Sequence, residues 1–244
     1  MRRFILPDGF TLSDDALITV DGEPFHHMVH VLRMTTGDRL FLMDRGGLVA
    51  DSLITGIDRT SVTLRIISPP RPTIPPLPVT LCQALPKGDK IDLVIQKGVE
   101  IGIGRFILFP SRRSIPRIPP EKRGAKIDRL VRIGTEAARQ SGGIPPEILL
   151  VDGFQEMLDR GVGELRLMAW EEEVGVRFRD VGEGDPPRSV VLLVGPEGGF
   201  SPEEVREATA QGFIPLSLGP RILRTETAGI VLASLVQFRW GDLG

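Results

Sequence analysis

The 244-residue chain has a single cysteine, Cys82, and no tyrosine. One thiol can close no internal disulfide and cannot build a thiolate zinc site. There are three histidines, His26, His27 and His30. Positions 26 and 30 share a helix face, but no glutamate lies between them in the spacing of a zinc protease, so no metal is expected. The aromatics are two tryptophans and eleven phenylalanines, so base stacking should be a minor term in any nucleic-acid contact. The apolar runs at 190–194 and 230–236 are far too short to cross a bilayer. The run after Met1-Arg2-Arg3 stops at Pro7-Asp8-Gly9, so no signal peptide and no membrane partner are expected. The expected location is cytoplasmic.

At 41% apolar and 25% charged residues, the composition is that of an ordinary globular protein, which excludes disorder and a fibrous fold. Net charge is −2, but its distribution is uneven. Residues 105–139 hold ten Lys/Arg and three Asp/Glu; residues 152–185 hold ten acidic and four basic groups. A near-neutral total with one basic segment suits a protein that turns one face to a polyanion. A solvated helix face with a loop gives the same count.

Six prolines between 69 and 78 exclude a regular helix or a central strand and predict a stiff connector. The expected division is a domain at 1–70, a linker at 71–78 and a domain at 79–244. The first part reads as short strands at 17–20, 39–43, 48–57 and 61–66, with turns at 44–47 and 58–60 and a helical turn or two at 24–33. Such a pattern suggests a small barrel. The second part alternates: strands at 79–84, 106–109, 147–151, 165–170, 190–194 and 214–218, and helices at 87–102, 121–141, 154–160, 202–212 and 226–239. Alternation predicts an α/β domain with a largely parallel sheet, whose ligands sit at the carboxyl ends of the strands.

Two segments carry chemistry. Residues 190–205, VVLLVGPEGGFSPEEV, run from an apolar strand through a glycine-rich turn into a helix capped by Ser201 with Pro202 at its first position. A phosphate loop would need Gly-Lys-Ser/Thr, and Glu197 would repel phosphate. An acidic, glycine-rich loop instead suits a ligand with donors, such as an adenine, a ribose or an amino group; a tight strand-to-helix turn is the plain alternative. Residues 215–236, PLSLGPRILRTETAGIVLASLV, place Arg221, Arg224 and Glu226 around a turn, with Thr225 expected to cap the helix. Arginines at a helix N-terminus oppose its dipole unless something negative binds there.

GPEGGFSPEE followed by LGPRILRTETA resembles the RsmE family of ribosomal RNA methyltransferases, within the SPOUT superfamily. The resemblance covers the whole chain: Met1-Arg2-Arg3-Phe4, HHMVHVLRMTTGD at 26–38, LPKGDKIDLVIQKGVEIGI at 85–103 and TEAARQSGG at 135–143 fall in the family's order. It implies a PUA-like N-terminal β-barrel that binds RNA and a C-terminal α/β domain with a deep trefoil knot. It implies S-adenosylmethionine held between three loops. The first wall would be Leu167, Met168 and Ala169. The second would be Leu193, Gly195, Pro196, Glu197 and Gly198. The third would be Leu216, Leu218, Gly219, Ile222, Leu223, Thr227 and Ala228. It further implies a homodimer acting on 16S rRNA in the small ribosomal subunit, methylating N3 of a uridine.

That chemistry needs a proton acceptor or a cation for the uracil anion, because N3 is poorly nucleophilic until its proton leaves. Glu226 and Arg224 are the candidates. N3 lies on the Watson–Crick edge, so the target must be unpaired or flipped out. The RNA-contact candidates are Arg2, Arg3, His26, His27, Arg33, Lys87, Lys90, Arg112, Arg113 and Arg139. Gly143 stands where the family commonly has an arginine, and Arg139 is the expected substitute. The apolar circumference of 226–239 points to a subunit interface on its second side. Competing readings are a SPOUT ribose 2′-O-methyltransferase, an assembly factor that binds RNA without catalysis, and a dinucleotide oxidoreductase; the last lacks GxGxxG after its first strand.

Overall fold

The computed structural model describes residues 3–7, 9–44, 47–72, 77–113, 118–182 and 184–244. The chain divides into two compact units, Met1–Ile74 and Pro75–Gly244.

The first unit is a six-stranded sheet made of β1 (Arg3–Ile5), β2 (Leu17–Asp21), β3 (Arg39–Met43), β4 (Leu48–Ile57), β5 (Ser61–Ile66) and β6 (Arg71–Pro72). Its order is β1-β3-β4-β5-β2, with β6 beside β4. Along β2 burial alternates, with Ile18 and Val20 inside and Leu17 outside, as a period of two requires. Between β2 and β3 lies α1 (Gly22–His26), continued by a π-helical turn, His27–Val31, where the sequence suggested a helical turn or two over 24–33. β1 pairs in parallel with β3, a contact between residues far apart in sequence that local pattern does not announce. The pairing of Arg71 with Val49 draws the start of the proline-rich stretch onto this sheet.

The second unit holds β7 (Val79–Ala84), α2 (Lys90–Glu100), β8 (Ile103–Phe109), α3 (Pro120–Ser141), β9 (Glu147–Leu150), α4 (Phe154–Arg160), β10 (Leu165–Ala169), β11 (Val190–Val194), α5 (Pro202–Ala210), β12 (Ile214–Leu216) and α6 (Thr225–Trp240). A short 3-10 turn, Phe178–Asp180, lies between β10 and β11. The six strands form one all-parallel sheet in the order β12-β10-β11-β7-β8-β9. Every residue of β11 is buried, the signature of a central parallel strand covered on both faces. The chain builds outward through β8 and β9, then returns to the other side of β7. The switch therefore falls between β7 and β11, and β10, β11 and β12 lie together beyond it.

Helix α2 packs against α3 and α6, and its apolar stripe of Ile91, Val94, Ile95 and Val99 is buried. Gly98 lies within this helix because nothing larger fits: a Cβ there would stand 2.7 Å from Phe106 Cζ and 3.1 Å from Ile103 Cδ1. Alanine is the better helix former by about 1 kcal/mol, yet the clash with a fully buried ring on β8 costs more. Gly98→Ala is therefore expected to destabilise the fold by about 1–2 kcal/mol in urea denaturation. A stabilised variant would show that α2 can move away from β8 at little cost.

Candidate active site

Register places three strand ends side by side: Ala169 pairs with Val194 on one side and Leu216 on the other. The loops that follow β10, β11 and β12 thus leave the sheet at one edge and surround a two-lobed cleft. One lobe is lined by Trp170, Ser217, Leu218, Gly219, Pro220 and Arg221. The other is lined by Lys90, Val194, Gly195, Pro196, Glu197, Gly199, Arg224 and Thr225. Ala169, Glu171, Ile222, Leu223 and Ala228 belong to both.

The loops are fastened to one another. Arg224 is the N-cap residue of α6, and Thr225, expected to cap it, is instead the buried first residue of the helix. Its hydroxyl donates to the Gly195 carbonyl and accepts from Gln83 Nε2 at 2.9 Å. The third loop is thereby tied both to the second loop and to the end of β7. Ser201 caps α5 as expected: its Oγ accepts from Glu204 N–H at 3.2 Å, and Glu204 Oε2 accepts from Ser201 N–H at 2.9 Å. Glu204 is fully buried, and its Oε1 accepts the Arg112 N–H at 2.9 Å, so the segment after β8 is anchored to the same helix.

A charged cluster closes the second lobe. Glu197 Oε1 accepts from Lys90 Nζ at 2.9 Å and from Lys87 N–H at 3.0 Å. Lys90 Nζ also stands 3.6 Å from Glu226 Oε2, which is buried and makes no hydrogen bond. The hydrogen bond to Glu197 holds the Lys90 ammonium above its ordinary value. Burial alone would raise the Glu197 carboxyl, but bonds from Lys90 and backbone N–H groups outweigh it and hold the carboxyl low. The raised lysine keeps the tie at every pH below the usual lysine range and loses it as pH climbs through its raised value. The lowered carboxyl keeps it above the usual glutamate range and loses it as pH falls through its lowered value. The cluster is intact through the neutral window between them.

The expected cofactor residues Ala169, Gly195, Pro196, Glu197, Leu218, Gly219, Ile222, Leu223 and Ala228 line this cleft, and so does Arg224. Leu167, Met168, Leu193 and Leu216 are fully buried in the strands behind it. Gly198 and Thr227 are not on its walls; the Gly198 carbonyl accepts from Arg113 at 3.1 Å. Glu226 reaches the cleft through Lys90 rather than lining it. Lys90, expected on RNA, belongs to the cleft. Glu171, Trp170 and Gln83 were not anticipated; the signal for the first two was their place just after an apolar strand.

The basic segment has a plainer use than its charge suggested. Arg105 pairs with Glu147, Arg112 with Glu203 and Glu207, and Arg123 with Asp152. Lys126 and Arg129 pair with Asp92, and Arg139 with Glu136. These are ion pairs of the fold. Among the described residues of the segment, Lys122 and Arg132 are exposed with no such partner. In the first unit, His27 meets Phe4 edge-on, His30 meets Phe25, and His26 lies beside His30. Arg3 is in β1, and Arg33 is exposed with left-handed backbone, φ +52°. Arg2 and the mid-segment Arg117 lie outside the described residues. Among the described residues, no cluster of His, Cys, Asp or Glu is grouped to hold a metal ion and no helix is long and apolar enough to cross a membrane.

S-adenosylmethionine fits what is present. Its adenine suits the apolar wall of Ala169, Leu218, Ile222, Leu223 and Ala228, and its cationic centre suits a cleft with carboxylates at Glu171 and Glu197.

A family model described as an RNA methyltransferase domain matches residues 73–237, and one described as an RNA methyltransferase PUA domain matches residues 20–67. The chain is 33% identical over 246 residues to a ribosomal RNA small subunit methyltransferase E of Bacillus subtilis (strain 168), covering 98% of this chain and 96% of that protein. It is similar to the ribosomal RNA small subunit methyltransferase E of Neisseria gonorrhoeae solved bound to S-adenosyl methionine, with a TM-score of 0.81, 30% identity and all of both chains covered. A methyltransferase from Legionella pneumophila, solved with bound cofactor SAM, gives a TM-score of 0.81 at 32% identity, covering 99% of this chain and 98% of that one.

Thr225→Val keeps the shape of the side chain and removes the hydroxyl that joins the loops. It leaves the Gly195 carbonyl and the Gln83 amide without that partner, so a loss of about 2 kcal/mol in unfolding free energy is expected. Faster amide exchange should be confined to the ends of β11 and α6. Thr225→Ser should recover most of the loss. Equal stability of the Val and Ser variants would show that methyl packing, not the hydroxyl, fastens the loops.

Proposed function

The chain belongs to the ribosomal RNA small subunit methyltransferase E family, and on that premise we propose that it transfers a methyl group from S-adenosylmethionine to N3 of a uridine in 16S rRNA of the small ribosomal subunit. The observation that carries this reading is the cleft at the ends of β10, β11 and β12, with apolar walls, carboxylates and arginines in one place. The cofactor supplies a methyl group already activated by its sulfonium, so the reaction asks for no metal.

The chain's own residues have two tasks. The loops after β10, β11 and β12 bind and orient the cofactor through the residues named above, with Leu167, Met168, Leu193 and Leu216 setting the floor from inside the sheet. Arg224 lines the cleft, and no hydrogen bond or ion pair of its guanidinium appears among the described residues. It stabilises negative charge developing on O2 or O4 of the uracil. Glu226 accepts the N3 proton; Lys90 Nζ stands 3.6 Å from its Oε2 and orients the carboxylate. Thr227 and Gly198 support the same loops. Arg2, Arg3, His26, His27 and Arg33 of the first unit, with Lys87, Arg112, Arg113 and Arg139 of the second, form the RNA-contact set, and contacts of this kind are salt-sensitive.

The architecture under this reading is a PUA-like RNA-binding barrel at 1–70, a linker at 71–78 and a SPOUT methyltransferase domain at 79–244 whose cofactor loops form a deep trefoil knot. The enzyme acts in the cytoplasm as a homodimer. Support for the dimer is the face of α6 carrying Val231, Leu235 and Phe238, a helical i, i+4, i+7 stripe on which Phe238 is 72% exposed.

The test is methyl-labelled S-adenosylmethionine with small ribosomal subunits lacking the modification, followed by digestion to nucleosides. Label in 3-methyluridine is expected; label in a ribose-methylated nucleoside would move the chain to a different reaction. In the same assay Glu226→Gln should lower turnover about a hundredfold or more, the range of a lost general base, while cofactor affinity stays within about twofold. Loss of cofactor binding instead would make Glu226 a structural residue.

A further inference from the structure

Glu171 stands in an unusual position within the cleft. It is the one charged residue among the five that line both lobes; the others, Ala169, Ile222, Leu223 and Ala228, are apolar. The other two carboxylates nearby are already engaged, Glu197 by Lys90 and the Lys87 N–H, and Glu226 by Lys90. Glu171 has no hydrogen bond or ion pair among the described residues. Its carboxylate lies against Gly199, in space that a side chain there would fill, and Gly199 has left-handed backbone with φ +67°. The second loop thus gives way to the carboxylate at the waist of the cleft.

The proposed cosubstrate has two arms, an adenosine and an amino-acid chain, joined at a sulfonium. A molecule with one arm in each lobe carries its positive charge where the lobes meet. We propose that Glu171 reads this charge and makes the cleft prefer the methylated cosubstrate over its demethylated product. On transfer, the S–CH3 bond breaks with its electron pair left on sulfur, the methyl bonds to the substrate nitrogen, and that nitrogen's proton goes to the base. Glu171 therefore faces a cation before the reaction and a neutral thioether after it. Its attraction is lost at the moment the product must leave. Glu171 is exposed, so solvent screens the pair and the discrimination is modest.

The inference rests on the methyl-transfer reading, and calorimetric titration of the full-length protein separates the two. The ligands are S-adenosylmethionine and S-adenosylhomocysteine, which differ by the methyl and its charge. Glu171→Gln should weaken S-adenosylmethionine about fivefold, the effect of one solvent-accessible charge contact, and change S-adenosylhomocysteine by less than about twofold. The wild-type preference for the cation should shrink as salt rises, and the preference of the variant should be flat. Equal weakening of both ligands would overturn the proposal, since it would place Glu171 on hydroxyl or amino groups common to both. Unchanged affinity for both would overturn it too. A wild-type protein that binds neither ligand would overturn the methyl-transfer reading and this proposal with it.

Discussion

The cleft depends on one hydroxyl group. Thr225 joins the first turn of α6 to the Gly195 carbonyl at the end of β11 and to Gln83 at the end of β7. Without that tie, no buried side-chain hydrogen bond among those described would join the start of α6 to the second loop; at its other end the third loop leaves β12, a strand of three residues at the edge of the sheet. With it, three segments from distant parts of the sequence share one boundary. The bond is buried, where a hydroxyl without partners would be costly, so the arrangement is specified as well as stabilised.

The same economy governs the charges. The second unit gathers basic groups in one stretch of sequence, yet half of them meet acids supplied by other parts of the chain: Glu147 on β9, Glu203 and Glu207 on α5, Asp92 on α2 and Asp152. Exposed pairs of this kind contribute little to stability; their consequence is to neutralise the segment. The arginines of the third loop are treated differently. Arg221 and Arg224 sit before the N-terminus of α6, where the helix dipole disfavours them, and their guanidinium groups form no ion pair among the described residues. Positive charge is paired off along the basic segment and left unpaired at the cleft.

Much of the fold was legible in the sequence because it rests on local pattern. The strands at 39–43, 48–57, 61–66, 79–84 and 190–194 carry their bounds in hydrophobic runs and turn residues. Where the pattern failed, a non-local cause can be named. β8 begins at Ile103, earlier than 106, because Arg105 is paired on both sides by β7 and β9, although Gly102 and Gly104 make the stretch look like a turn. β1 exists because β3 lies beside it. The 3-10 turn at Phe178–Asp180 carries a ring contact between Phe178 and Trp240, 62 residues away.

The site was legible in its loops and illegible in its electrostatics, for the same reason. A glycine-rich turn after a buried strand is a local signal, and it pointed to Gly195, Glu197 and Gly219. Which carboxylate is free to meet a ligand is not local. Glu197 stood out in the sequence, yet its Oε1 is taken by Lys90 and the Lys87 N–H, more than a hundred residues away. Lys90 stood among lysines expected on RNA, yet it is the counter-ion of two glutamates. Glu171 was one of three consecutive glutamates in an acidic stretch, and its place just after an apolar strand was its one signal. Each of these roles is set by sheet order: β11 lies next to β7, and β10 next to β11, only because the chain crosses back past β7. A sequence can show that charges are present near a strand end, but their partners are assigned by the topology that brings the strand ends together.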